Sequence, residues 1–316
     1  MKRSTAVLLA ALLCLLVPAC APAAQSRPAG EHDITFTDSL GNQVVLEQAP
    51  ERVAALLGSY AEAWVLAGGE DSLMAVTRDA FEERGMDLRE EVANLGESHQ
   101  PNLEALFAAQ PDLVLLTPDL EGQLALKESL DSAGIPNAWF KVETFEDYLD
   151  MLRTFTDLTG REDLYEHNGL AVQARIEAVK AAAQEKEGPS VLLLRAFSSN
   201  VKAKNSDNTA GVMLRDLGCK NIADSDSGLL EELQMEAILT ANPEYIFVVT
   251  MGSDTEKAMD NLKDLFQSDP AWQSLAAIER GNVYVLDKQL FHYKPNARWG
   301  ESYEKLAGIL YPEESK

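Results

Sequence analysis

Along the chain, short apolar runs alternate with segments whose apolar residues recur at helical spacing. Residues 53–57, 73–76 and 112–116 read as buried strands, and another starts at Ile135-Pro136 and runs through Trp139-Phe140. Between them, 61–67 reads as a helix closing on Gly68-Gly69, and 103–109 as a helix stopped before Pro111. A similar order returns later: a strand at 191–194, a helix at 211–217 capped by Gly218, a helix at 235–241, and a buried strand at 245–249. A strand at 283–286 and a terminal helix at 301–310 complete it. Strands alternating with helices predict parallel βαβ units, hence an α/β fold.

Two segments can be laid over each other directly. LEALFAAQPDLVLLT begins at Leu103 and MEAILTANPEYIFVVT at Met235, and at a constant offset of 132 Glu104 meets Glu236, Ala105 meets Ala237 and Pro111 meets Pro243. Two copies predict two similar lobes, not a solenoid. Between them, 145–159 and 162–187 keep helical spacing, including Leu164, Ala171, Ile176 and Val179, with a break at Thr159-Gly160. The second piece, about 26 residues, would span about 39 Å as a helix, long enough to cross both lobes as a stiff connector. Pro189 ends it. The expected layout is two Rossmann-like α/β lobes, 34–143 and 188–316, joined by connecting helices at 144–187, one of them long and rigid, with a ligand cleft between the lobes. The competing reading is two ordinary packed helices inside one larger domain.

Composition changes the picture in two ways. The 316 residues carry 51 acids against 27 Lys and Arg, a formal net charge of −24, which argues against a nucleic-acid partner. The apolar run 6–17, behind Met1-Lys2-Arg3, is too short to cross a bilayer but suits the h-region of a secretory signal. Leu16-Val17-Pro18-Ala19-Cys20 resembles a bacterial lipobox. That resemblance implies a signal at 1–19, lipidation of Cys20 and an Ala/Pro/Ser-rich tether at 20–33, so that the chain is exported and meets the membrane through its anchor alone. An ordinary signal with an incidental Cys is the bland counterpart. Cys219 is then unpaired and reads as a small packing residue. No G-x-S-x-G elbow, P-loop or G-x-G-x-x-G after a strand occurs, so no enzyme is expected. His32, His99, His167 and His292 are scattered, so neither a metal site nor a resident cofactor is expected.

Three segments in order carry a more specific likeness. NLEALFAAQPDLVLL is similar to a helix followed by "PDLVI", MLRDLGCKNIAD to "LLxxLGxxNI", and WQSLAAIERGNVYVLD, from Trp272 to Asp287, to "WxxLxAVKxGxVYxVD". With the lipobox, two α/β lobes and a single long connector, they resemble the ABC-importer binding proteins for ferric siderophores, haem and cobalamin. The resemblance implies small domain motion, a ligand held between lobes, and delivery to a permease and its ATPase; the chain is expected to be a monomer. It also implies one docking Glu per lobe, for which Glu121 and Glu256 are the candidates. A ferric siderophore-type complex is the favoured cargo. The alternative is a haem- or cobalamin-binding surface lipoprotein with a sensing or adhesion role.

In parallel sheets, loops at the carboxyl ends of strands line the ligand crevice. Those loops contribute Ser59, Tyr60, Arg78, His99 and Thr117 in the first lobe. In the second they contribute Arg195, Phe197, Lys204, Phe291, Tyr293 and Arg298. Cations and aromatics gathered in so acidic a chain predict an anionic ligand with an aromatic or hydrophobic body. Arg forks would bind carboxylate or catecholate oxygens, and the aromatics would stack. Helix-start amides beside Ser59 would suit an anion. The bland counterparts are Arg78 pairing with Asp79, Glu82 or Glu83, Ser59 and Tyr60 as turn and packing residues, Lys202 and Lys204 as solvated groups, and Arg298 as part of a helix start. His99 facing His292 or Tyr293 would be the arrangement for haem.

Overall fold

An antiparallel hairpin, β1 (Ile34–Thr37) and β2 (Gln43–Leu46), precedes the first of two parallel sheets. That sheet contains β3 (Val53–Ala55), β4 (Leu73–Val76), β5 (Ala93–Asn94), β6 (Leu113–Leu116) and β7 (Asn137–Trp139), in the order β5-β4-β3-β6-β7. The second is built around β8 (Ser190–Ala196), with β10 (Lys220–Asn221), β11 (Tyr245–Thr250) and β12 (Val283–Leu286) parallel to it in the order β10-β8-β11-β12. Both faces of the first sheet are covered. Val53, Ala55, Leu113 and Leu115 enter one core, and Ala54, Val114 and Leu116 another. That is why these strands read as unbroken apolar runs. The computed structural model describes residues 33–252 and 254–312; the expected signal, Cys20, nearly all of the tether, His32 and residues 313–316 lie outside the described residues.

The main helices are α1 (Gly58–Leu66), α2 (Leu103–Ala108), α3 (Phe145–Thr159), α4 (Ala171–Gln184), α5 (Thr209–Asp216), α6 (Met235–Ala241), α7 (Thr255–Ser268) and α8 (Trp299–Leu310). The repeat seen in sequence has a backbone counterpart. Helices α2 and α6 start 132 residues apart, as do β6 and β11. Each unit also turns from helix to strand through a left-handed non-glycine residue, Gln110 (φ 49°) and Asn242 (φ 42°), again 132 apart. The proline that follows each of them cannot continue a helix.

The second lobe departs from the first by an insertion. Residues 195–204, expected as loop, form the end of β8, a turn, and β9 (Val201–Lys204), which pairs antiparallel with β8. Helix α7, also unanticipated, occupies the place held in the first lobe by the short helix Glu121–Leu124.

The connector begins with a capping box. Thr144 Oγ1 accepts the Asp147 N–H at 3.1 Å, and the Asp147 carboxylate accepts the Thr144 N–H at 2.8 Å, an arrangement worth about 1 kcal/mol. After Gly160 (φ 69°), helix resumes at Glu162, passes through a π-turn at Glu166–Leu170 and ends with α4. The resumed helix is about 34 Å long, somewhat short of expectation because it stops at Gln184. The π-turn fixes it to the first lobe: Asn168 Nδ2 donates to the Leu66 carbonyl at 2.8 Å, and Tyr148 Oη donates to the Asn168 carbonyl at 3.1 Å. Gly169 permits the close approach, since a Cβ there would lie 3.0 Å from Leu149 Cδ2. On its other side α4 carries α8, tied by a bidentate Arg175–Glu304 pair at 2.8–3.1 Å. One continuous core therefore runs from the first sheet through the connector to β8, β11 and α8. Among the described residues, no helix is long and apolar enough to cross a membrane.

Candidate ligand-binding cleft

The carboxyl ends of the two sheets meet. Segment 288–298, which follows β12, lies against first-lobe loops through several polar contacts. Gln289 Nε2 donates to the Glu83 carbonyl, and Arg84 Nη2 donates to the Lys294 carbonyl at 2.6 Å. Asn296 Nδ2 reaches the Ser59 carbonyl at 2.8 Å and the Glu62 carboxylate at 2.6 Å. Arg84 closes the network on Glu62 at 3.0 Å, with its own side chain only 6% exposed. Asn296 adopts φ 53°, a conformation that Asn tolerates better than most residues.

Several first-lobe candidates leave the cleft wall. Tyr60 is fully buried and its hydroxyl donates to the Phe140 carbonyl at 2.6 Å, so it is a core residue. Burial pushes its ionisation well above the ordinary phenol value. Thr117 is buried too, its N–H donating to Gln123 Oε1 at 2.9 Å. Ser59 is buried within the first turn of α1, which starts earlier than expected, at Gly58. The amide imagined for an anion is occupied: the Gly58 N–H donates to Asp79 Oδ2 at 2.7 Å. Gly58 is required there, because a Cβ would lie 2.7 Å from the Ala80 nitrogen. Arg78 stays half-exposed but pairs with Glu97 at 2.5 Å and Glu82 at 3.9 Å. His99 is exposed, while its carbonyl presses on Gly122, where no side chain fits. Glu121 and Glu256 are exposed at the starts of helices that follow the equivalent strands β6 and β11.

Two second-lobe candidates also fall away. Phe291 is buried in the continuous core. Arg298 is exposed at the start of α8, where it grips Glu301 in a fork at 2.8 and 3.1 Å. Arg298 and Lys305 hold the Glu301 carboxyl down to about 2. In both lobes the error has one physical source. At a strand end, packing decides which side chain turns inward, and a single sequence does not display that choice.

The rest converge. Arg195 sits opposite Lys202 across the β8–β9 pair, and Lys204 sits opposite Leu193. Directly opposed residues share a face, as do residues two apart, so Arg195, Lys202 and Lys204 present one cationic face. Partly buried Phe197 follows in the turn, its carbonyl accepting from Asn261 Nδ2 at 2.9 Å. Segment 288–298 brings His292, Tyr293 and Lys294 close enough for the Arg195 charge to act on His292 and Lys294, as it does on Lys204. Among the described residues, Arg195, Lys202 and Lys204 make no salt bridge, and the buried Arg195 Nε has no hydrogen-bond partner. Burial drives Arg195 and Lys204 below their ordinary values, with Asp207 as the opposing charge. Burial and the cations Arg195, Lys294 and Lys288 push the His292 imidazole down to about 3.

Tyr293 bridges the lobes. Lys288 Nζ lies 5.4 Å and the Arg84 guanidinium 5.9 Å from its ring centre, and burial, with the Glu83 charge next, raises the ionisation of its hydroxyl. A cavity of about 530 Å³ opens here, lined by Glu83, Thr250, Lys288, Gln289 and Tyr293 among others. A second cavity, about 480 Å³, lies beside the β8–β9 turn and is also lined by Lys202, but Glu231, Glu232 and Asp264 in its wall disfavour an anion. Sequence reasoning passed over Gln123, whose amide donates to the Leu56 and Ser98 carbonyls and ties three first-lobe loops together. It also left Arg84, Asp119 and Asn296 unmarked, since nothing in their local sequence announces a contact some 200 residues away.

The family profile described as periplasmic binding protein matches residues 53–290. The chain belongs to that family. Among curated relatives, this binding protein is 23% identical over 229 residues to an iron-uptake system-binding protein of Bacillus subtilis, covering 72% of this chain and 69% of the other. Among solved structures it resembles the siderophore-binding protein BauB, bound to two acinetobactin molecules and ferric iron (TM-score 0.71, 19% identity, 89% of this chain and 100% of that one). It also resembles a periplasmic haem-binding protein of Pseudomonas aeruginosa (TM-score 0.68, 22% identity, 84% and 94%). The binding protein thus has the two-lobed α/β architecture expected from its sequence.

Proposed function

We propose that this chain is the extracytoplasmic binding component of an ABC importer, capturing an anionic ferric siderophore-type complex and releasing it to a permease with no chemical step. The observation that carries this reading is the face formed by partly buried Arg195 and Lys204 with exposed Lys202, none of them in a salt bridge among the described residues. Burying unpaired charge is costly, and an anion that fills the cleft recovers that cost as affinity. Guanidinium and ammonium donors suit carboxylate or catecholate oxygens of an iron chelate, with Phe197 and Tyr293 against its body. The name of the Bacillus subtilis relative and the iron complex bound to BauB support the same reading.

Haem is the second reading, and His292 favours it. A cleft imidazole kept neutral by burial, and further by neighbouring cations, is competent to ligate iron. Against it, a porphyrin needs broad apolar walls, and Tyr60 and Phe291 are committed to the core. In this proposal Cys20 is the lipid anchor, its tether keeps the body near the permease, and Glu121 and Glu256 are the docking pair. The test is a titration with ferric dicitrate, a ferric catecholate and haem. Saturable binding of an anionic chelate is expected. Binding of haem alone, with a Soret shift lost in His292→Ala, would replace the first reading by the second.

A further inference from the structure

One acid of the first lobe reaches across to the cationic cluster. Asp119 lies in the loop after β6, and its Oδ2 is 3.9 Å from Lys294 Nζ of the second lobe. The loop is held firmly: the Asp119 N–H donates to Thr117 Oγ1 at 3.2 Å, and the Thr117 N–H to the buried Gln123. Among the charges acting on Lys294, Asp119 is the foremost opposite one, ahead of Glu143, while Arg195 adds repulsion. The contact is loose. At 3.9 Å it is an ion pair without a hydrogen bond, with the Asp119 side chain 34% and the Lys294 side chain 18% exposed, so a competing anion can approach from the Asp119 side.

We propose that Asp119 is an internal counter-ion: in the ligand-free chain its carboxylate stands where cargo oxygens will stand, and cargo must displace it from Lys294. This inference rests on the proposed anionic cargo and adds a specificity determinant to it. A ligand no more negative than the carboxylate it displaces gains little from the exchange, whereas a multiply charged chelate gains Lys294 together with the unpaired Arg195 and Lys204. Asp119 thereby sets a lower bound on the negative charge of accepted cargo. After the exchange it also repels the bound anion, which lowers affinity and eases release.

The experiment compares wild type with Asp119→Asn and Asp119→Ala by calorimetric titration, using ferric dicitrate as the anionic probe and a cationic ferric trihydroxamate as the control. Both substitutions fall on a partly exposed side chain with no other hydrogen bond among those described, so folding is expected to survive. The expected result is about tenfold tighter dicitrate binding in both variants, with no tightening for the cationic complex. Unchanged or weaker dicitrate binding in the variants, with wild type binding normally, overturns the counter-ion role and leaves the cargo reading standing. Equal tightening for both probes overturns it as well, because the effect would then not depend on ligand charge. Wild type that binds no anionic iron complex removes the cargo reading and this inference together.

Discussion

The two lobes share a scaffold and differ in how their charges are settled. At the carboxyl end of the first sheet the charges are mostly matched: Arg78 with Glu97 and Glu82, Arg84 with Glu62, Asp79 with the Gly58 amide. At the corresponding end of the second, Arg195, Lys202 and Lys204 have no such partners among the described residues. The difference traces to the insertion of β9, which places Lys202 and Lys204 on the face that carries Arg195. Repeating a βαβ framework builds a cleft; breaking the repeat on one side gives the cleft its charge.

The largest effect should come from removing the unmatched side. Arg195→Ala with Lys204→Ala is expected to weaken an anionic ferric chelate by about 100-fold or more, measured by calorimetry. Arg78→Ala, whose side chain is exposed and already paired, should change affinity by less than about threefold. Equal losses from the two lobes would erase the proposed asymmetry.

The interlobe network tests the matched side. Arg84→Ala strips Glu62 of its buried partner and frees the Lys294 carbonyl, so urea unfolding should show a loss of about 2 kcal/mol. That figure is below the value for a fully buried pair because the Glu62 side chain is 30% exposed. No change in the unfolding midpoint would mean the two lobes are not held together there.

His292 gives a pH signature confined to the second lobe. Its folded-state value lies near 3, below the ordinary imidazole value near 6.5, so the unfolded chain takes up the proton first. Its contribution is complete above about pH 6.5 and is lost as pH falls towards 3. His292→Gln should flatten the stability–pH curve across that window; a curve parallel to wild type would count against the buried, cation-flanked environment.

The smallest effects concern what the lobes share. Gln110→Gly and Asn242→Gly relieve the two left-handed residues of the repeat. Glutamine is the less tolerant of that conformation, so its replacement should stabilise by up to about 1 kcal/mol, whereas Asn242→Gly also removes the side-chain oxygen that accepts the Ala276 N–H at 2.9 Å and should give no gain. A loss of stability at both positions would indicate that the side chains, not the backbone turn, hold these junctions.

The sequence made the common scaffold readable because apolar runs, Pro111, Pro243, Gly68 and Gly218 punctuate it physically. It hid the β8–β9 hairpin, since VKAK alternates as a solvated edge does and reads equally well as loop. It misplaced Tyr60 and Phe291, which share composition and position with true cleft residues and differ only in which way packing turns them. Arg195 and Lys204 could be marked as candidates, but their lack of partners is a property of the folded chain alone.

Calorimetric titration with ferric dicitrate at about 50 and 500 mM salt, set beside a spectral titration with haem, tests the central claim most directly. Charge capture in the second lobe predicts one saturable site for the chelate, markedly weaker at high salt, and no Soret shift. No saturable chelate binding, together with a haem Soret shift that His292→Ala abolishes, would contradict it.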